Sequence, residues 1–487
     1  MVNQYPWISH GLRFVLVAAM MNLVACGEER SESTKHGNSH PHNVLFIAVD
    51  DLKPVLGCYG DAMAITPAID AFASRGTVFL NAHCQWPVCG PTRASLMTSL
   101  RPEATGVMDL KTSMRAKNPD VLALPEHFKN SGYITAGVGK IYDPRCVDNK
   151  KSCDQPSWSL PFVTPRSSQT KFNDVKRFAF GPDVADAELT DGQIALGSRK
   201  LLQDLSKATQ PFFLAVGFKK PHLPFIAPKK YWDLYDRDRF RVAEHRGGIR
   251  TDSGYSIHDS PEFRGYGGVP KDGIINDAIQ LEAIHGYYAC VSYIDAQVQS
   301  LLDELDRLGL SDSTTIVLWG DHGFHLGDHG MWGKHSTLEQ ATRVPLIICP
   351  PSGASIKSTA TPVELTDIFP TLCELSEIDT PSSLAGRSLI PLLAGDRERV
   401  RDGALTVFKS KGSLGYSYRT DRYRYTEWIS NRSGKTTASE LYDYENDPFE
   451  TKNRVNDSTY DEVRIRLAKQ MRADGQGCDR LLATPSN

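Results

Sequence analysis

Neither sign of charge dominates this 487-residue chain, in which 55 Lys and Arg against 58 Asp and Glu leave a formal net charge of -3. It has no basic run, and a nucleic-acid surface needs concentrated cations, so that class of partner is excluded. There is no internal repeat at solenoid or propeller periods and no low-complexity tract, which removes the repeat architectures. Membrane-length hydrophobic runs are missing too: Phe14 to Val24, behind Arg13, is too short to span a bilayer as a mature helix. What remains is an ordinary globular composition, long enough for a large core and for two or three domains.

The short apolar run instead suits a secretory signal. It ends in Leu23-Val24-Ala25-Cys26-Gly27, which resembles the lipobox of bacterial lipoproteins. That resemblance implies that residues 1–25 are removed, that Cys26 is lipidated, and that the exported chain meets the membrane through this lipid only, facing periplasm or exterior. An ordinary signal peptide with an incidental cysteine is the other reading. Residues 26–41 are polar, as expected of a flexible tether. Ten cysteines in an exported chain permit disulfides. Cys146 and Cys153 flank a short loop and are a candidate pair, whereas Cys290 and Cys349 sit in apolar helical and strand patterns and read as core.

The stretch Val88-Cys89-Gly90-Pro91-Thr92-Arg93 places a thiol, a helix-starting proline and a fixed cation close together. Pro91 suits a first helical turn, where its missing N–H would be unpaired anyway, so Cys89 is expected at or just before a helix N-terminus. An anion at Cys89 would meet the free N–H groups of that end and the guanidinium of Arg93, four residues on. From these residues alone, a nucleophile facing an oxyanion and a buried cysteine on a structural helix are equally good accounts.

Other apolar runs end in ionisable groups. Asn43 to Val49 reads as a buried parallel strand and stops at Asp50-Asp51; Gly132 to Val138 leads to Lys140 and Asp143; Pro211 to Phe218 leads to His222; Thr314 to Trp319 leads to Asp321-His322, with Lys334 following. Open α/β sheets bind ligands at the carboxyl ends of their strands. Three carboxylates with one imidazole form an oxygen-rich set suited to calcium or magnesium more than to zinc. Val344 to Cys349 reads as a last parallel-type strand, and Val363-Glu364-Leu365 as the start of a helix. Residues 144–185 and 236–272 read as surface excursions, the first lining a substrate mouth. Beyond residue 400 the pattern changes to short strands of alternating polarity, Ala404 to Lys409, Leu414 to Arg419 and Arg422 to Trp428, closed by a helix from Val463 to Met471.

With these groups placed at strand ends, the mature chain resembles a type I sulfatase of the alkaline phosphatase superfamily, and within that family looks closest to iduronate-2-sulfatases and their bacterial relatives. Cys89-Gly90-Pro91-Thr92-Arg93 matches the family's Cys-x-Pro-x-Arg signature, and Val49-Asp50-Asp51-Leu52-Lys53-Pro54 and Lys220-Pro221-His222 match the subgroup. The resemblance implies an α/β fold, a large mostly parallel sheet sandwiched by helices over residues 42–400, with a smaller α+β subdomain carrying an antiparallel sheet over 401–487. It implies that Cys89 is oxidised by a formylglycine-generating enzyme and, hydrated, attacks sulfur. Asp50, Asp51, Asp321 and His322 would hold one Ca²⁺ together with the residue at position 89. Arg93, Lys140 and Lys334 would hold the sulfate oxygens, while His222 and Lys334 serve the leaving alkoxide. The implied substrate is a sulfated sugar or polysaccharide, a uronic acid 2-sulfate at the subgroup level. A phosphatase or phosphonate monoester hydrolase of the same superfamily and an inactive lipid-anchored glycan-binding homologue are the alternatives. One position departs from the family: the usual histidine shortly after the lysine is replaced by Asp143, a candidate base for releasing sulfate.

Overall fold

The computed structural model describes residues 42–148, 153–167, 176–246 and 253–484. The signal sequence, Cys26 and the tether lie outside the described residues. Among the described residues no helix is long and apolar enough to cross a membrane.

A seven-stranded sheet organises the chain. Its strands are β1 (Asn43–Val49), β2 (Thr77–Phe79), β3 (Ile134–Gly139), β4 (Phe212–Phe218), β5 (Thr314–Gly320), β6 (Leu346–Cys349) and β7 (Ser358–Thr359), in the spatial order β7-β2-β6-β5-β1-β4-β3. β1 lies between β4 and β5 and is parallel to both, and β3 is parallel to β4. β6 runs antiparallel to both β5 and β2, which corrects the parallel reading of Val344 to Cys349. An apolar run buried on both faces looks the same in either direction, so the pattern carried no orientation.

The unbroken apolar run of β1 serves two cores at once. Leu45, Ile47 and Val49 join one buried cluster, which includes Tyr287 and Cys290, while Val44, Phe46 and Ala48 join another with Leu96 and Met97. Successive side chains of a strand point to opposite faces, so one face is covered by α3 (Asp277–Arg307) and α2 (Thr190–Leu205) and the other by α1 (Cys89–Thr98).

The C-terminal region forms a separate four-stranded antiparallel sheet, β8 (Ala404–Ser410), β9 (Ser413–Arg419), β10 (Tyr423–Ser430) and β11 (Thr436–Asp443), followed by α4 (Asp461–Ala473). β11 was not expected: its first half, Thr436-Thr437-Ala438-Ser439, is polar and largely solvated, so no apolar alternation announces it. Val363–Glu364 is a short strand, and the helix expected there starts only at Ile368 after a 3₁₀ turn. All nine cysteines among the described residues are free thiols, Cys146 and Cys153 included.

The small sheet supports the segment leading into Cys89. Trp86 and Val88 are buried in its apolar cluster, Val407 N–H donates to Gln85 O at 2.8 Å, and Thr406 Oγ1 donates to Cys84 O at 2.6 Å. A buried charge cluster joins the same regions: Glu364 accepts from Arg101 at 2.6 Å and from Leu405 N–H at 2.8 Å, with Arg401 Nη1 at 3.2 Å. Glu364→Ala leaves two buried guanidinium groups short of their counter-charge. It is expected to destabilise the protein by about 3–5 kcal/mol, measured by denaturant unfolding.

Candidate active site

β1, β3, β4 and β5 end on one side of the sheet, and the residues just past those ends converge on the N-terminus of α1. Cys89 is the first residue of that helix, and the preceding Val88 makes no side-chain cap. Gly90 is required by crowding, because a Cβ there would lie 2.5 Å from Cys146 Sγ and 2.9 Å from Leu110 Cδ2.

Asp50, Asp51, Asp321 and His322 are all buried around Cys89. Asp51 has a φ of 60°, a conformation costly for a non-glycine residue. Its N–H donates to Asp321 Oδ1 at 3.0 Å, and its carbonyl accepts from Tyr287 Oη at 2.6 Å. His322 Nδ1 lies 3.0 Å from Gly323 O, so as a donor there it leaves Nε2 bare as an acceptor. Nε2 is 3.4 Å from Cys89 Sγ, 3.3 Å from Asp51 Oδ1 and 3.8 Å from Asp321 Oδ1. Ligand atoms of Asp50, Cys89, Asp321 and His322 all lie within 4.8 Å of one another, as do those of Asp50, Asp51, Cys89 and His222. A donor set of carboxylate oxygens with one oriented imidazole nitrogen fits a hard divalent cation.

Three cations close the site. Arg93, fully buried, donates through Nε to Asp321 Oδ2 at 2.9 Å, reaches Asp50 Oδ1 at 3.3 Å, and binds the carbonyls of Lys140 and Ile141. Lys140 Nζ donates to Asp50 Oδ2 at 2.6 Å, and Lys334 Nζ to Asp51 Oδ1 and Oδ2 at 3.0 and 2.8 Å. Burial pushes the Asp50 carboxyl up, but Lys140, His222, Arg93 and Lys334 outweigh it and hold it well below the usual carboxylate range. Burial, then Asp50, drives the Cys89 thiol well above its ordinary value. A protonated thiol is the opposite of how a cysteine nucleophile is activated.

Lys140 reaches Asp50 because β3 and β4 touch at their ends. Lys140 N–H donates to Gly217 O at 2.7 Å, and a Cβ on Gly217 would lie 2.1 Å from Lys140 O. Gly217→Ala is therefore expected to cost about 1–3 kcal/mol of stability and to lower turnover with it, read by thermal unfolding and initial rates.

His222 stands at the mouth, its Nε2 4.0 Å from Asp51 Oδ2 and 3.4 Å from Glu262 Oε1. Glu262 also lies 3.2 Å from Lys334 Nζ and was missed by the sequence reading. It comes from the expected rim segment 236–272, on a one-turn helix after Ser260 whose only local signal is Pro261. Asp143 lies on the cavity beside Lys140, but both its oxygens are engaged by Arg145, at 2.9 and 2.7 Å. Burial raises the Asp143 carboxyl, and the hydrogen bonds of Arg145 and the charge of Lys140 bring it below its ordinary value.

A carboxylate cradle beside a helix N-terminus, ringed by three fixed cations at the carboxyl edge of a parallel sheet, defines an α/β enzyme for esters of a tetrahedral oxyanion. Residues 42–378 match the sulfatase family, and residues 327–476 the C-terminal family of N-sulphoglucosamine sulphohydrolase. The chain is 31% identical to human iduronate 2-sulfatase over 545 residues, covering 93% of this chain and 98% of that protein. It belongs to the sulfatase family and is a sulfatase. Two solved structures share its fold. A protein in complex with its substrate D-glucosamine-2-N,6-O-disulfate aligns with TM-score 0.74 and 20% identity over 90% of this chain and 98% of that one. The phosphonate monoester hydrolase of Agrobacterium radiobacter aligns with TM-score 0.74 and 23% identity over 89% and 95%.

Proposed function

We propose that this sulfatase removes an O-sulfate from a sulfated carbohydrate, with a uronic acid 2-sulfate as the target, using Ca²⁺ and a formylglycine made from Cys89. The observation that carries the reading is the convergence of Cys89 with Asp50, Asp51, Asp321 and His322 inside a ring of Arg93, Lys140 and Lys334. The identity to human iduronate 2-sulfatase supports the choice of sugar. The two groups of metal-ligating side chains found among the described residues share Asp50 and Cys89, so they form one cradle around position 89.

When present, Ca²⁺ held by Asp50, Asp51, Asp321 and His322 supplies Lewis-acid polarisation, and hydrated formylglycine at position 89 supplies the attacking hydroxyl. The chain's own residues do the rest. Arg93 fixes Asp50 and Asp321 and so sets the shape of the cradle. Lys140 and Lys334 carry positive charge beside position 89, where a sulfuryl group gains negative charge on its oxygens as it is transferred. His222, whose Nδ1 lies 2.7 Å from Leu223 O, presents Nε2 to the leaving oxygen and in its imidazolium form delivers a proton there. Asp143 is the candidate base for freeing sulfate afterwards. Asp143→Asn is expected to show a burst of product followed by slow turnover, and an unchanged steady state removes Asp143 from catalysis.

Export and anchoring through Cys26 complete the proposal and place the enzyme where large sulfated polysaccharides are met. The deciding experiment is sulfate release from a panel of defined sulfated sugars by protein co-expressed with a formylglycine-generating enzyme. Release from uronic acid 2-sulfates supports the reading. Hydrolysis of phosphonate or phosphate monoesters with no sulfate released overturns it.

A further inference from the structure

The catalytic groups line one part of a cavity of about 600 Å³ whose other lining residues take no part in the steps above. It opens from Asp50, Lys140 and His222 and is walled on its outer side by residues of the 144–185 excursion. That volume suits a sugar unit. Its charge is lopsided: five lysines and arginines line it against two carboxylates, Asp50 and Asp143. Both carboxylates are already paired, with Lys140 and Arg145.

The cations differ in how far they are committed. Lys220 is structural, its Nζ donating to the carbonyls of His222 at 2.7 Å and Pro224 at 2.6 Å. Arg145 is anchored by Asp143 through Nε and Nη2, which leaves Nη1 for another acceptor. Arg166 is exposed and makes no ion pair among the described residues, and the Lys219 ammonium, which burial disfavours, feels the opposing charges of Asp191 and Asp50. Lys219 is only partly exposed, and its backbone N–H is held by Asp191 Oδ1 at 2.6 Å. Partial withdrawal of an ammonium from water costs free energy that an incoming anion reduces.

We infer that Arg145, Arg166 and Lys219 form a binding site for a second anionic group on the substrate, a carboxylate or a further sulfate, separate from the sulfate being removed. The inference rests on the sulfated-carbohydrate reading and adds to it which side chains bind the second anion of such a substrate. Asp143 is then also the positioning residue that orients Arg145 over the cavity.

The test uses the full enzyme carrying formylglycine and its Arg166→Ala and Lys219→Ala variants, with Arg145 kept because it holds the candidate base Asp143. Four substrates are compared: a uronic acid 2-sulfate disaccharide, the same sugar with its carboxyl reduced to an alcohol, the reduced sugar bearing a second sulfate, and 4-nitrophenyl sulfate. Each variant is expected to lose about tenfold in kcat/KM on substrates with a second anion, chiefly through KM, as befits one charged hydrogen bond. On 4-nitrophenyl sulfate the rates stay at the wild-type level, which also shows that the variants fold. Loss on the uronate alone assigns the site to a carboxylate, and loss on the doubly sulfated sugar alone assigns it to sulfate. Equal losses on every substrate, or none on the doubly anionic ones, overturn the second site. Failure of the sulfated-carbohydrate reading looks different, since wild-type enzyme then releases sulfate from none of the three sugars.

Discussion

Replacing Cys89 with alanine is expected to abolish sulfate-ester hydrolysis, by about 10⁴-fold or more in kcat/KM, while leaving the fold intact. A nucleophile's removal leaves only what binding and charge stabilisation supply. The substitution is mild for the structure because, among the described residues, the Cys89 side chain makes no hydrogen bond except its 3.4 Å contact with His322 Nε2. Wild-type protein made without a formylglycine-generating enzyme should be equally inactive, because burial and Asp50 keep the thiol protonated. Mass spectrometry of the Cys89 peptide checks the conversion, with the aldehyde or its hydrate expected in active preparations. Full activity in Cys89→Ala, or in protein whose Cys89 is wholly thiol, would sink the mechanism.

Stripping divalent cations with a chelator is expected to remove activity, and adding Ca²⁺ to restore it. The matching substitution is Asp51→Asn. Asparagine tolerates the positive φ that Asp51 adopts, so the backbone at 60° survives and only the charge is lost. That charge neutralises Lys334 and faces His322 Nε2 at 3.3 Å, so its loss weakens the cradle and leaves Lys334 with Glu262 alone. A fall of about 10²–10³-fold in kcat/KM at limiting Ca²⁺ is expected, with part of it recovered at high Ca²⁺. Calorimetry with the metal alone reads the affinity separately from turnover. Restoration by Zn²⁺ and not by Ca²⁺, or Asp51→Asn with unaltered metal affinity, contradicts the assignment of a hard oxygen cradle.

Much of the catalytic centre was legible because strands ending in charge are rare and informative. Runs such as Asn43 to Val49 cannot end in Asp50-Asp51 inside a core without a partner charge, and three other strand ends offered those partners. Glu262 escaped because a rim loop of mixed charge has no periodicity to read, and its place between His222 and Lys334 depends on contacts remote in sequence. The engagement of Asp143 by Arg145, two residues away, was open to inspection but undecided, since side chains two apart meet only where the backbone turns, as it does at Pro144.

The sequence by itself determined the buried strands, the helix behind Cys89 and the groups at the strand ends, because burial on both faces and a proline in the first turn are local demands. Only the tertiary structure decided the antiparallel direction of Leu346–Cys349, the strand Thr436–Asp443, and the packing of the small sheet under Trp86 and Val88. It also decided that Arg145, Arg166 and Lys219 share one cavity with Asp50, Lys140 and His222. Strand direction, sheet docking and the meeting of distant charges depend on long-range closure of the chain, which no local pattern records.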